Sequence, residues 1–323
     1  MKIRIALLSL LLGASLLLSA CGIRPLDGSV VATAGDYKIT YDEFRYFFLN
    51  TKKELDGGDA SVWEGKDAPT EQLKKDLEYR LKRLGAIAKM AKDYDLSIDS
   101  EGKEAIESTM SSFRDSMESK EAYLAALEEK FASEYAFEQM LRSQYLFEMV
   151  REYVTDERNF LIRADDATLL ADIEKNFWRG AQILIRNDEG EDPKANRALA
   201  EQVLSELKDG ESFFTLMAKY GEDPQLSGNQ NSYYFTTGQL LPYFEKEVRA
   251  LEIGQNSEVV ECVHGYAIIT RLPMEEEYIK GHLESLRDAM MYRIFNEMLE
   301  EEIKALPFKT SPSYYTYTVD NVT

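Results

Sequence analysis

Ala181-Gln182-Ile183-Leu184-Ile185 and, further along, Gly265-Tyr266-Ala267-Ile268-Ile269 decide the fold. Each is a short apolar run bounded by glycine or charge, the pattern of a strand buried on both faces. Between them come an acidic loop from Asn187 to Asp192, a helical pattern from Pro193 to Lys208 and Gly210. A short helix from Ser212 to Lys219, a Gly/Asn/Ser loop from Gly221 to Ser232 and a helix opened by Pro242 follow. Strands over Ser257 to Val263 and Tyr266 to Leu272 close the unit. The spacing predicts a compact α+β module over residues 179–272.

Upstream the texture is different. From Thr70 to Asp172 the chain is nearly all helix formers, with Gly85 and Gly102 its only glycines. Leu73, Leu77, Leu81, Leu84 and Ile87 recur at helical spacing, and so do Phe137, Leu141 and Tyr145. Breaks are expected near 93–99, 117–120 and 132–134. Ahead of this region, Val30 to Ala34 and Tyr37 to Ile39 predict a hairpin turning at Gly35-Asp36. Thr40 with Glu43 three residues on forms a capping box that opens a helix through Phe44 and Phe48 and stops near Gly57-Gly58. Downstream, Ile279, Leu283, Leu286, Met290, Ile294 and Met298 lie on one stripe. They predict a single long helix from Glu275 to Leu306 that packs on the N-terminal helices. Residues 308–323 are expected as a loose tail.

Charge and composition exclude several functions. The chain of 323 residues carries 58 Asp and Glu against 38 Lys and Arg, a formal net charge of −20, which repels phosphate backbones and argues against nucleic acid as a partner. Its two histidines, His264 and His282, leave little for a His-rich metal site or a Ser-His nucleophile. The acidic loop Asp188-Glu189-Gly190-Glu191-Asp192 lacks the ligand spacing of an EF-hand, and no Gly-rich phosphate cradle is present. Neither a metal nor a cofactor is expected.

The first twenty residues carry an address. Lys2 and Arg4 precede an almost unbroken apolar run from Ile5 to Leu18, and Leu18-Ser19-Ala20-Cys21 follows, the layout of a secretory signal over residues 1–20. Leu-Ser-Ala-Cys resembles the lipobox of bacterial lipoproteins, which implies that the Cys21 thiol is lipidated and anchors the protein at the outer, extracytoplasmic face of the cell membrane. Cys262 is then the only other cysteine, so no intramolecular disulfide is available, and it is expected as a strand residue.

A resemblance rests on six ordered blocks. Ala181 to Ile185, Gly210-Glu211-Ser212-Phe213, Ala218 to Asp223, Gly238-Gln239-Leu240-Leu241-Pro242-Tyr243-Phe244, Leu251 to Gln255 and Gly265 to Ile269 together resemble a parvulin-type peptidyl-prolyl isomerase domain. Val31-Ala32-Thr33-Ala34-Gly35 with Asp42-Glu43-Phe44 resembles the start of the PrsA/SurA extracytoplasmic foldases. The resemblance implies an α+β protein in which a mostly helical chaperone domain, residues 21–178 with the C-terminal helix 273–307, carries an inserted parvulin-like α/β domain at 179–272. It implies unfolded or partly folded secreted polypeptides as partners.

At the site the resemblance is broken. The family carries His in the first and closing strands, and Gln182 and Ala267 stand there. His264 is no substitute, since an odd offset from 267 points a strand residue to the opposite face. Asp223 matches the family's acid or thiol position, and Leu240 and Phe244 match the floor that receives a proline ring. With both imidazoles replaced, the expectation is a foldase that holds clients with low or absent isomerase turnover. The alternatives are an active prolyl isomerase and a non-catalytic structural or assembly lipoprotein.

Overall fold

The structure is a computed structural model that describes residues 28–188, 190, 192–226 and 232–322. The signal-like segment 1–20 and Cys21 lie outside the described residues. Its elements run β1 (Val30–Ala34), β2 (Tyr37–Thr40), α1 (Tyr41–Asp56), α2 (Thr70–Asp93), α3 (Ser100–Asp115), α4 (Lys120–Glu129), α5 (Glu134–Thr155) and α6 (Asp166–Asn176). They continue through β3 (Phe177–Arg186), α7 (Pro193–Lys208), α8 (Phe213–Tyr220), β4 (Tyr233–Thr236), α9 (Pro242–Ala250), β5 (Val260–Cys262) and β6 (Gly265–Leu272). Then come α10 (Glu276–Gly281), α11 (Leu283–Ala305) and β7 (Phe308–Thr310). The fold is α+β with two small antiparallel sheets, as expected. The described residues divide into two compact units, one of those up to 147 with those from 303 onward and one of those between 148 and 302.

In the first unit the N-terminal hairpin and the helices follow the sequence pattern. The Thr40 hydroxyl accepts the Glu43 N–H at 3.4 Å while the Glu43 carboxylate accepts the Thr40 N–H at 3.0 Å, which satisfies two of the donors orphaned at the start of α1. Gly57 ends α1 in the left-handed region at φ 60°. Leu73, Leu77, Leu81, Leu84 and Ile87 are all buried along α2. Gly85 of α2 is there for contact: a Cβ on it would lie 2.5 Å from the Ala34 carbonyl oxygen of β1. Of the aromatic residues in the helical region, Tyr123, Tyr145 and Phe147 are core, whereas Tyr135 is exposed.

The segment expected as a tail is ordered. β7 adds to β1, giving the sheet order β2-β1-β7 with Ala32 opposite Thr310 and Ala34 opposite Phe308. Beyond it, the Tyr314 and Tyr317 rings pack at 5.3 and 5.1 Å from that of Phe44. A three-residue strand carrying Lys309 has no periodicity to read. Its pairing is supplied by β1 from the other end of the chain.

The second unit is built on the sheet β4-β3-β6-β5. The strand expected at Ala181–Ile185 is longer, because Phe177 to Gly180 pair with Thr236 to Tyr233 of β4. Odd-numbered Ala181, Ile183 and Ile185 join Tyr266 and Ile268 under α7 and α8, while Leu184, Ala267 and Ile269 pack with Phe235, Phe244 and Val248 beneath α9. Gly180 lets α9 approach, since a Cβ there would lie 2.6 Å from Val248 Cγ2.

The single C-terminal helix is corrected to two. The His282 ring takes the Tyr278 carbonyl, with Nδ1 at 2.8 Å, and its amide turns to the Ile279 carbonyl instead. Gly281 beside it weakens helix by roughly 1 kcal/mol relative to alanine. On α11 the buried residues are Leu286, Ala289, Met290, Met291, Arg293, Phe295, Leu299 and Ile303, with Ile294 and Met298 only half-buried. Arg293 of α11 reaches Asp172 of α6 at 2.6 Å, both largely buried.

Candidate functional site

The α9 face of the second sheet gathers the residues singled out from the sequence. In the β3/β6 ladder Gln182 lies opposite Ile269 and Leu184 opposite Ala267, so Gln182 and Ala267 are diagonal neighbours on one face. Ala267 is fully buried and sits among Leu184, Ile269 and Phe244. Leu240 and Phe244 meet the same cluster from the loop and helix above, and Asp223 reaches it from the loop after α8. His264 lies exposed in the β5–β6 turn, where its carbonyl accepts the Asn187 N–H.

A buried polar chain crosses this face. Gln182 Nε2 donates to Asp223 Oδ2 at 2.6 Å, and the Tyr233 hydroxyl donates to the same oxygen at 2.8 Å. Asp223 Oδ1 accepts the Gln225 N–H at 3.0 Å, closing an Asx turn over Pro224. From the other side the Tyr243 hydroxyl donates to Gln182 Oε1 at 2.9 Å. Gln182 and Asp223 are only 6% and 7% exposed, so these bonds offset most of the cost of burying an amide and a carboxylate.

Both tyrosines are held protonated. Burial, and then the Asp223 carboxylate, push the Tyr233 hydroxyl well above the usual phenol range. Burial does the same for Tyr243, with the neighbouring Cys262 side chain contributing next. Cys262 is therefore a strand residue at the edge of this constellation, as its sequence position implies.

The apolar part is closed by the same residues. The Tyr233 ring stands edge-on to Phe244 with centroids 5.4 Å apart, and Phe235 packs on Phe244 at 5.7 Å, leaving Phe244 2% exposed. Leu240 is held by a carboxylate clamp: buried Glu245 accepts the backbone N–H groups of Gly238, Gln239 and Leu240 at 2.8–3.0 Å. Tyr233, Tyr243 and Glu245 are the residues that sequence reasoning missed. Their signal was present, two tyrosines and an acid immediately flanking Leu240, Phe244 and the middle strand.

The chain is similar to known proteins in two blocks. Residues 183–272 match the family model for the PPIC-type PPIase domain, and residues 1–151 match that for the SurA-like N-terminal domain. Foldase protein PrsA of Halalkalibacterium halodurans is 28% identical over 139 residues, 43% of this chain and 37% of that protein. Chaperone SurA of Chromohalobacter salexigens is 26% identical over 39% of this chain and 29% of its own length. Foldase protein PrsA of Caldanaerobacter subterraneus is 23% identical over 96% of both chains. For the first relatives the matched stretch amounts to less than half of their length. Among solved structures, PrsA of Streptococcus pneumoniae is 15% identical over 88% of this chain and 93% of its own, with a TM-score of 0.36. The chain thus joins a SurA-like N-terminal domain, residues 1–151, to a PPIC-type PPIase domain, residues 183–272, and in both blocks it is similar to PrsA and SurA proteins.

Proposed function

We propose that the protein is an extracytoplasmic foldase, anchored by lipid on Cys21, that holds unfolded secreted polypeptides and whose parvulin-like domain serves binding or architecture without isomerase turnover. The helical region 21–178 and the helix pair within 273–307 form its chaperone part. One observation carries the reading: the site's polar groups and its apolar floor are satisfied by the chain itself.

Prolyl isomerisation needs a cavity that grips a twisted ring. The amide barrier is about 18–20 kcal/mol, and each tenfold of rate takes about 1.4 kcal/mol of preferential binding to the twisted form. The Tyr233 ring stands against Phe244, and moving it aside for a proline ring breaks its bond to Asp223, which costs about 2–3 kcal/mol before any gain. The pair Gln182 and Ala267 also offers no imidazole to shape the amide's surroundings. Lipid attachment rests on Leu18-Ser19-Ala20-Cys21; among the described residues no helix is long and apolar enough to cross a membrane.

Refolding of a proline-limited substrate with the full mature chain tests this. Suppressed aggregation without acceleration is the expected result. Acceleration that disappears on Phe244→Ala would establish an active isomerase instead, and failure to protect any unrelated unfolded protein would establish a structural lipoprotein with a single partner.

A further inference from the structure

Among the described residues three non-glycine positions have positive φ: Asp95, Phe131 and Phe160. Aspartate tolerates the left-handed region, and Phe131 has the Lys53 ammonium over its ring at 5.6 Å. Phe160 has no such compensation. It sits at φ 54°, ψ 24° just after the short 3₁₀ turn Glu157–Asn159, and it is 89% exposed. Its backbone is strained and its ring is in water, two unfavourable states in one residue.

The display is built. Asp156 accepts the Arg158 N–H at 3.0 Å and Asn159 Nδ2 donates to the Tyr153 carbonyl at 2.8 Å, which fixes the turn. On the far side Asp165 accepts the Thr168 N–H at 3.0 Å and starts α6. Between these anchors Phe160 borders a cavity of about 730 Å³ whose apolar lining includes Ile162 and Ala164. Leu161 next to it and Leu170 on α6 are 41% and 48% exposed.

We infer that Phe160 and this cavity form a docking surface for an apolar stretch of an unfolded polypeptide with neutral or basic flanks. The inference rests on the holding function proposed above and names where the client engages. A cavity of this size takes one or two large side chains, with the Phe160 ring as a lip. Charge selects the occupant. The two guanidiniums that line it, Arg163 and Arg287, are held by Asp165 and Asp166, Arg158 of the adjoining turn is held by Asp156, and Glu157 adds a fourth acid to the neighbourhood. The chain's net charge of −20 opposes both a second copy of itself and an anionic lipid surface.

Phe160→Gly separates the ring from the backbone, because glycine adopts φ 54° without strain. Thermal midpoint, aggregation suppression and anisotropy are measured on the full mature chain. The probes are a labelled unstructured peptide with a Leu-Phe core and lysine flanks, and the same core with glutamate flanks. The expected result is a raised midpoint, at least tenfold weaker binding of the lysine-flanked peptide, and wild-type preference for lysine over glutamate flanks. Phe160→Asn, also compatible with this backbone, is expected to lose affinity equally. Unchanged affinity in both variants with aggregation still suppressed overturns the docking surface and leaves the holding function standing. A wild type that binds neither peptide and protects no client overturns both. A concentration-dependent dimer that Phe160→Gly dissolves assigns the surface to a second copy and overturns the inference.

Discussion

Gln182→Leu tests whether the polar chain beneath α9 is a structural unit. The substitution keeps the side chain's volume while deleting a donor and an acceptor. Asp223 loses a 2.6 Å charge-assisted bond, about 1.5–3 kcal/mol, and the buried Tyr243 hydroxyl loses its 2.9 Å acceptor, roughly 1–3 kcal/mol. The added apolar burial returns about 1 kcal/mol, leaving a net loss of about 3 kcal/mol. For a unit of this size that lowers the thermal midpoint by roughly 6–12 °C. Gln182→His is the informative control. A neutral imidazole has one donor and one acceptor nitrogen, so it can give to Asp223 and accept from Tyr243, and its cost is expected within about 1 kcal/mol. Urea denaturation of both variants, followed by circular dichroism, measures the difference. A Gln182→Leu loss below about 1 kcal/mol would refute the claim that the site's polar groups are committed to the fold.

Two further outcomes follow from features outside the site. Arg293→Ala strands Asp172 in the α6/α11 contact and is expected to cost about 3–5 kcal/mol in urea denaturation, whereas Arg293→Met with Asp172→Leu recovers most of it. Asp56 is buried, which alone would raise its carboxyl, but bonds from Lys52, the Trp63 indole and the Gly58 amide bring it below the usual carboxylate value of 3.8. Its contribution to stability is therefore complete above about pH 4 and is lost as pH falls through the lowered value. Trp63 fluorescence in a Trp178→Phe background is expected to report this acid-driven release, and Asp56→Asn to abolish the pH dependence.

Much of the fold is legible because it rests on local chemistry. The Thr40–Glu43 box, the α2 leucine row and the two-sided apolar run at Ala181–Ile185 each carry their own signal over a few residues. The candidate site is legible as far as Asp223, Leu240 and Phe244 sit in recognisable blocks, and Gln182 and Ala267 are placed by strand alternation. What escapes is set by partners distant in sequence. Phe177 to Gly180 extend β3 only because β4 pairs with them, and the glycine is demanded by Val248 of α9. Tyr233 and Tyr243 stand beside recognisable positions, but what their hydroxyls do is set at a distance, since their acceptors arrive from the loop after α8 and from β3. The left-handed Phe160 contradicts its own propensity, which is where a sequence rule fails at a place of interest.

The pairing of β7 with β1 sets the order in which the protein can assemble. The N-terminal hairpin is made early as the chain is synthesised, but its sheet gains its third strand from Phe308–Thr310, far along the chain. Closing a loop this long adds only a slowly growing entropic cost. Until then β1 keeps one edge unpaired, with Val31 and Ala32 in a strand open to other extended chains. A protein proposed to shield unfinished polypeptides thus keeps an open strand edge of its own until Phe308–Thr310 pairs with β1.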